Sequence, residues 1–250
     1  MQDFAAAFIG AFNLLARADS DLLEIVGLSL RVSLSAVILS CLIGFPIGAA
    51  LGIGRFPGRQ TLIVCVNALM GLPPVVVGLI VYLFLSNAGP LGWMEILYSP
   101  TAMIIAQTIL VAPIVAALSR QVVADLHAEY AEQFRSLSVP TRTAVAAMLW
   151  DARHSLATVA LAGFGRAIAE VGAVIIVGGN IDHLTRVMTT AIALETSKGN
   201  LALALALGFI LIVLALAVNA AQVVTEETGI PATTIATWRV GGADLPRNGL

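Results

Sequence analysis

Residues 120–153 read RQVVADLHAEYAEQFRSLSVPTRTAVAAMLWDAR and interrupt a chain that is otherwise strongly apolar. The chain has 13 basic and 15 acidic side chains in all, and eight of these charges fall in this segment. Leu126, Tyr130, Phe134 and Leu137 recur at spacings of four and three, which is the period of an amphipathic helix. We therefore expect a helix in an aqueous loop, with its apolar face presented to a soluble partner outside the bilayer.

Composition places the chain among integral membrane proteins. Hydrophobic residues make up 59% of the sequence, charged residues make up 11%, and the mean hydropathy is +0.96. A soluble globular chain has roughly 45–50% apolar and about 25% charged residues. The net charge of −2 and the lack of a basic patch argue against nucleic acid as a partner. Cys41 and Cys65 lie in apolar runs, so we expect packing roles for them and neither a disulfide nor a metal site.

The apolar runs predict the number of membrane spans. Four runs carry no charge, residues 32–54, 60–94, 96–119 and 199–225, and a fifth apolar segment at 155–181 contains Arg166 and Glu170. A spanning helix needs about 20 apolar residues, so each segment can cross once. The 60–94 run is interpreted as one helix that ends near Ser86 before a turn. The predicted fold is all-α and integral to the membrane, with five transmembrane helices.

The distribution of Lys and Arg predicts the orientation, because cytoplasmic segments carry an excess of these residues. With residues 120–153 inside, the inner segments hold eight of them and the outer segments three. The inner set is Arg55, Arg59, Arg120, Arg135, Arg142, Arg153, Arg239 and Arg247, and the outer set is Arg17, Arg186 and Lys198. We expect a multi-pass protein of the cell inner membrane, with the N-terminus outside and the C-terminus in the cytoplasm.

Three parts of the chain are expected to differ in character. Residues 1–20 repeat Phe4, Phe8, Phe12 and Leu15 at helical spacing but are too short to span, which predicts an amphipathic helix lying in the outer interface. Residues 24–225 form the predicted transmembrane domain, including a cytoplasmic loop at 120–154. Residues 226–250 are rich in Thr, Gly and Pro without periodicity, which predicts a flexible cytoplasmic tail.

Small residues and prolines mark packing and breaks within the spans. Gly44, Gly48 and Gly52 share one helix face and allow close helix approach, and packing within one subunit is favoured over a dimer face. Proline inside a helix frees a carbonyl that must find another partner. We expect kinks near the prolines at Pro46, Pro73, Pro74 and Pro113.

The segment 163–172, GFGRAIAEVG, places two charges inside an apolar run. Arg166 and Glu170 are four residues apart, so they share a helix face and can pair. An unpaired charge at the bilayer centre costs at least about 2.5–3.5 kcal/mol, so such residues face protein or a watery cavity. Two readings remain open, an ion pair that locks the helix bundle and an element of a substrate pathway. The G-x-G is not a nucleotide fingerprint, because no strand precedes it.

A polar stretch follows on the predicted outer side. Asn180, Thr185, Thr189 and Thr190 offer hydroxyl and amide groups, and with Arg186 and free backbone N–H groups they suit a transient contact with an anion. An ordinary loop with a helix N-terminal cap is the alternative for each of these residues.

Two regions resemble ABC importer permeases. The family's cytoplasmic loop has the pattern E-A-A-x-x-x-G followed by I-x-L-P, and here Glu132 matches the glutamate, Ser138 falls at the glycine, and Asp151 closes the segment 148–151 that falls at the final four positions. Gln133 and Phe134 replace the two alanines. The resemblance implies that the loop docks a cytosolic ATPase, and the residues expected to couple the two subunits are Glu129, Glu132, Arg135, Ser138 and Asp151.

Downstream, residues 166–173 (RAIAEVGA), 177–181 (VGGNI) and 185–199 (TRVMTTAIALETSKG) resemble tungstate-type permeases of the molybdate, tungstate and sulfate group. The resemblance covers about residues 24–225. It implies type I importer architecture, a second copy of the chain, two ATPase subunits and an outer-side oxyanion-binding protein. ATP and Mg would bind the partner ATPase, and no cofactor is expected to bind this chain. The chain lacks a phosphate-binding G-x-x-x-x-G-K-[ST] motif. The implied substrate pathway includes Arg166, Glu170, Asn180, Thr185, Thr189 and Thr190.

Other functions remain to be weighed. Within the importer class, the substrate can be molybdate, sulfate or phosphate in place of tungstate. An ion-coupled secondary transporter could use the Arg166–Glu170 pair, although five spans without an inverted repeat suit that class poorly. An intramembrane enzyme is disfavoured because His127, His154 and His183 lie in or near loops, and the spans show no catalytic spacing.

Overall fold

The computed structural model describes residues 4–17, 19–136, 143, 148 and 150–229. Helices and short turns account for the described part of the chain. The α-helices are α1 (Phe4–Arg17), α2 (Ser20–Ile53), α3 (Arg59–Met70), α4 (Pro74–Leu85), α5 (Pro100–Ser136), α6 (Arg153–Ile168), α7 (Gly172–Gly178), α8 (Met188–Lys198) and α9 (Leu201–Gly229), and a 3-10 turn covers Gly92–Met94. The predicted tail beyond residue 229 lies outside the described residues.

Three helices, α2, α5 and α9, are each long and apolar enough to cross a membrane. Two further spans are bent pairs. The axes of α3 and α4 differ by 98°, and those of α6 and α7 differ by 59°. If each pair is one span, the total is five, as the apolar runs predict.

The prediction that the 60–94 run forms a single helix, kinked near its prolines and ending near Ser86, is wrong. Helix α3 ends at Met70 and α4 begins at Pro74. Proline lacks an N–H group and its ring disfavours helical conformation in the preceding residue, so two consecutive prolines end the first helix and start the second. By contrast, α2 continues through Pro46 and α5 through Pro113.

The glycine ladder of α2 packs against α5 within one subunit, as expected. A Cβ at Gly44 would lie 2.8 Å from Val115 Cγ1, and one at Gly48 would lie 2.0 Å from Ser119 Oγ. The Ser119 hydroxyl in turn donates to Val115 O at 2.6 Å. The absence of side chains on this face of α2 therefore lets the two longest helices approach backbone to backbone.

The two bent spans pack against each other beside their breaks. A Cβ at Gly78 of α4 would lie 2.8 Å from Ala173 Cα of α7, and one at Gly172 would lie 2.9 Å from Val75 Cγ2. Gly172 is the first residue of α7, and Val75 is the second residue of α4. The starts of both second halves are therefore neighbours in the fold.

Helix α1 packs on α9. Ala7 and Ala11 are buried, and the rings of Phe8 and Phe209 meet edge to face at 5.9 Å. Ile9 and Phe12 point away from the protein, with 64% and 70% of their surface exposed. The helix predicted at the N-terminus is present, but alanines and Phe8 make its protein-facing side, while Phe12 lies on the side left for lipid.

Candidate functional site

The polar segment begins inside a continuous helix. Helix α5 does not stop at Ser119, where the apolar run ends, but continues to Ser136, so the membrane span and the loop helix are one element. Glu129 and Glu132 are exposed on its last turns. The side chain of Arg135, the residue Ser138 and the apolar contacts predicted for Phe134 and Leu137 lie outside the described residues.

A hydrogen bond ties the two ends of this segment together. Tyr130 of α5 donates its hydroxyl proton to Asp151 Oδ2 at 2.7 Å, and Asp151 lies two residues before the start of α6. Arg153 lies over the Trp150 ring at 5.1 Å and donates to the Trp150 carbonyl at 2.8 Å. The loop between α5 and α6 is thus closed at its base by contacts between side chains on its flanks.

The Arg166–Glu170 pair lies at the break between α6 and α7. The Arg166 guanidinium donates to Glu170 Oε2, and Glu170 Oε1 accepts from the N–H of Ala173 at 3.2 Å. The side chain of Glu170 is 4% exposed, whereas that of Arg166 is 36% exposed. The predicted pair is therefore formed, although the helix that was expected to carry both residues ends at Ile168.

The carbonyl groups released by this break are satisfied by side chains from other helices. Gln107 Nε2 of α5 donates to Ala167 O at 3.0 Å, and the Thr189 hydroxyl of α8 donates to Glu170 O at 2.8 Å. Gln107 was not among the predicted site residues. Its side-chain amide within the mostly apolar run 96–119 was the sequence signal that could have identified it. The break is therefore stabilised by side chains of α5 and α8 as well as by the side chain of Glu170.

The Asn180, Thr185 and Thr190 side chains form a local network beyond α7. The Thr185 hydroxyl donates to Gly178 O at 2.5 Å and accepts from Ile181 N at 2.9 Å. Thr190 donates to Asn180 Oδ1 at 2.8 Å and accepts from the N–H of Val187 at 3.2 Å. Both threonines are fully buried, so in this conformation their polar groups serve the turn and the start of α8.

Charged residues cluster beside that turn. His183 Nδ1 lies 2.8 Å from Glu24 Oε2 at the start of α2, and this hydrogen bond raises the pKa of His183. Arg186 donates to Asp182 at 2.7 Å. Burial opposes ionisation of Glu195, but hydrogen bonds from Lys198 at 3.0 Å and Asn200 at 2.9 Å outweigh it and hold the pKa of Glu195 below its ordinary value.

The structure thus separates the predicted site residues into two groups. Glu129, Glu132 and Asp151 lie at one end of α5, whereas Glu170 and Thr189 meet at the break that Gln107 of the same helix contacts. Within the described residues, no group of three or more His, Cys, Asp or Glu side chains is placed to hold a metal ion. The described residues therefore place a surface loop at one end of α5 and a polar break inside the bundle.

Comparisons with known proteins identify the family of the chain. Residues 44–227 match the family described as "Binding-protein-dependent transport system inner membrane component". A "Probable anion ABC transporter permease protein" of Haloferax volcanii is 42% identical over 204 residues, which cover 80% of this chain and 88% of the relative.

Two further relatives carry the name "Tungstate uptake system permease protein TupB". The protein of Peptoclostridium acidaminophilum is 37% identical over 220 residues, covering 88% of this chain and 96% of the relative. The protein of Campylobacter jejuni is 37% identical over 212 residues, covering 85% and 89%. An all-helical membrane fold, a family match over most of the chain and relatives aligned over nearly their whole length all agree, and the chain belongs to the inner membrane permease family of binding-protein-dependent ABC transport systems.

Proposed function

We propose that this permease carries an oxyanion, tungstate, through the membrane in an ATP-driven importer. The observation that carries the proposal is the alignment with two tungstate uptake permeases over at least 85% of this chain. The similarity to an anion permease supports the broader class of cargo. Molybdate and sulfate remain the alternatives within that class.

Uptake into proteoliposomes tests the cargo. The permease, reconstituted with its ATPase and its binding protein, should accumulate tungstate when ATP is enclosed with the ATPase, and a tenfold excess of molybdate or sulfate should compete poorly. Preferential uptake of molybdate or sulfate would contradict the tungstate assignment. Uptake that continues without nucleotide would contradict the importer mechanism.

We also propose that the loop between α5 and α6 docks the ATPase. Glu129 and Glu132 are exposed at the end of a helix that runs back into the bundle, and Asp151 is exposed at the other flank. The residues expected to make the contact are Glu129, Glu132, Arg135, Ser138 and Asp151. ATP and Mg bind the partner ATPase in this scheme.

Replacing Glu132 tests the docking site. Glu132→Ala should leave the permease folded but reduce ATP-dependent uptake more than ATP hydrolysis, because force passes less well between the subunits. Asp125→Ala is the matched control, since Asp125 is an exposed carboxylate seven positions earlier on the same helix. Equal coupled uptake in both variants would contradict the assignment of Glu132.

A second copy of the chain is proposed to cover α3. Of its 12 residues only Ile63 is buried, and the helix exposes the amide of Asn67 among apolar side chains. Lipid cannot hydrogen-bond an amide, whereas polar side chains commonly bond between helices in membranes. A two-fold partner would shelter this face and complete a pathway that one copy encloses poorly.

Cross-linking tests the dimer. Asn67→Cys in a chain whose native cysteines are replaced by serine should form a cross-linked dimer in membranes with a short bismaleimide. The matched control is Leu216→Cys on α9, a position 64% exposed and expected to face lipid. Monomers from the first variant, or equal cross-linking of both, would contradict this interface.

The proposed pathway passes Arg166. Its side chain is more than one-third exposed, whereas Glu170, Thr185, Thr189 and Thr190 are buried, so Arg166 is better placed than these four residues to meet an anion. Glu170, Asn180, Thr185, Thr189 and Thr190 would then shape the adjacent backbone. Arg166→Lys should retain part of the uptake and Arg166→Gln should lose more, and equal uptake by the two variants would contradict a contact that depends on positive charge.

The orientation is proposed from the Lys and Arg distribution, with the N-terminus and the binding protein outside. Single cysteines at Ala6 and at Glu132, both exposed, should react with a membrane-impermeant maleimide from opposite sides of intact cells and inverted vesicles. Labelling of both from the same side would contradict it.

A further inference from the structure

A small polar cavity lies where four parts of the bundle meet at the break of the fourth span. Its volume is about 10 Å³. It is lined by residues of α2, α5, the α6–α7 break and the start of α8: Ser29, Val32, Ser33, Gln107, Ile168, Glu170, Val187 and Thr189. A cavity of this size holds one water molecule, and one lined by polar groups is hydrated where an apolar one stays dry.

The Gln107 side chain supplies an unpaired acceptor to this cavity. Gln107 is 3% exposed, and its Nε2 is committed to Ala167 O. Among the residues that the structure describes, its buried Oε1 has no hydrogen-bond partner. A buried acceptor without a partner is costly, so the large majority of such atoms are paired with protein or with ordered water.

Two acceptors in the lining, Gln107 Oε1 and the Glu170 carboxylate, can take the two protons of one water molecule. The hydroxyl of Ser29 already donates to Ile25 O and accepts from Met188 N. The Glu170 carboxylate accepts from Arg166 and Ala173 and retains further acceptor capacity. Since Arg166 already neutralises that carboxylate, the cavity lacks the uncompensated charge that would favour a cation, and it is too small for an oxyanion.

We propose that one ordered water molecule binds here, donating to Gln107 Oε1 and to the Glu170 carboxylate. It joins α5 to the break between α6 and α7 through a second contact beside the direct Gln107–Ala167 hydrogen bond. The water is a structural ligand of the fold and does not depend on which anion the permease carries.

High-resolution imaging of the full-length permease with its ATPase tests the site directly. At a resolution that shows ordered water elsewhere in the bundle, a peak should lie within hydrogen-bond distance of Gln107 Oε1 and one Glu170 oxygen. A cavity without density at that resolution would overturn the proposal. A peak surrounded by five or more oxygens, with thermal stability that falls when sodium is replaced by choline, would assign a cation and also overturn it.

A double-mutant cycle supplies a second measurement. Val32→Ile adds a methylene group beside the cavity, and the same imaging establishes that it excludes the water. Val32→Ile should lower the melting temperature of the parent protein by about 3 °C or more beyond the amount by which it lowers that of the Gln107→Met variant. In the Gln107→Met background, loss of the water leaves no acceptor unpaired. Packing strain from Val32→Ile is common to both backgrounds and cancels. An equal shift in the two backgrounds, or stabilisation of the parent, would count against a bound water.

Discussion

The two bent spans differ in what makes them bend. Between α3 and α4 the chain itself imposes the 98° turn, because Pro73 and Pro74 cannot continue a helix. Between α6 and α7 no proline occurs, and at the 59° bend Gln107 and Thr189 donate to released carbonyl groups while the Glu170 carboxylate accepts from the N–H of Ala173. The break between α3 and α4 is therefore determined by the local sequence, whereas the break between α6 and α7 depends on contacts with other helices.

The difference bears on how each span can respond to its surroundings. A bend fixed by covalent ring geometry persists whatever packs around it. A bend fixed by side chains from α5 and α8 is sensitive to any movement of those helices. The Arg166–Glu170 pair lies at the break between α6 and α7, so its geometry depends on the positions of the neighbouring helices.

The largest effect is expected where the charge at the second break is left unpaired. Arg166→Ala leaves the buried Glu170 carboxylate without its cation and should destabilise the protein by about 3 kcal/mol, measured as a lower melting temperature in detergent. Adding Glu170→Gln to this variant should recover most of the loss, because the amide oxygen still accepts from Ala173 N. If Arg166→Ala melts like the parent but fails in uptake, the pair serves the pathway and not the fold.

A smaller loss is expected at the hydroxyl that holds the same break. Thr189→Val keeps the shape of the side chain but leaves the Glu170 carbonyl unpaired, which should cost about 1–3 kcal/mol. Thr189→Ser retains the donor and is the matched control. Equal melting temperatures for the Val and Ser variants would contradict the claim that tertiary hydrogen bonds maintain this bend.

The proline break should tolerate substitution better. Pro74→Ala removes one constraint, but Gly78 still packs on Ala173 and Pro73 remains, so we expect a loss of about 0.4–1 kcal/mol. Thermal melting of this variant beside Thr189→Val gives the comparison directly. A larger loss for Pro74→Ala than for Thr189→Val would reverse the proposed contrast.

The smallest effect concerns the exposed link between the 181–187 turn and α2. The pKa of His183 is raised by Glu24, so the stabilising contact is fully present below the ordinary histidine value of 6.5 and is lost as pH rises through the raised value. An NMR titration should show a pKa of His183 above the ordinary histidine value, and Glu24→Gln should lower it. An unchanged His183 titration in that variant would falsify the link.

The sequence was sufficient for what depends on composition and local rules. Apolar runs predicted the five segments, the Gly44 ladder predicted close packing, and the i, i+4 spacing predicted the Arg166–Glu170 pair. It was insufficient where partners are distant, since Gln107 lies 60 residues from Ala167 and Thr189 lies 19 from Glu170. The Pro73–Pro74 signal was visible, but its weight was underestimated because a single kink and a complete break look alike in an apolar run.

The unbroken length of α5 has a mechanical consequence. At about 1.5 Å per residue, its 37 residues make a rod roughly 55 Å long. The exposed carboxylate Glu132 and the side chain of Gln107 lie 25 residues apart on this helix, or about 38 Å, so a tilt of about 5° around one of them displaces the other by about 3 Å. Gln107 holds Ala167 by a single hydrogen bond of 3.0 Å, which cannot stretch that far. A force applied at the loop would therefore either move the bend of the fourth span together with α5 or separate that bend from α5.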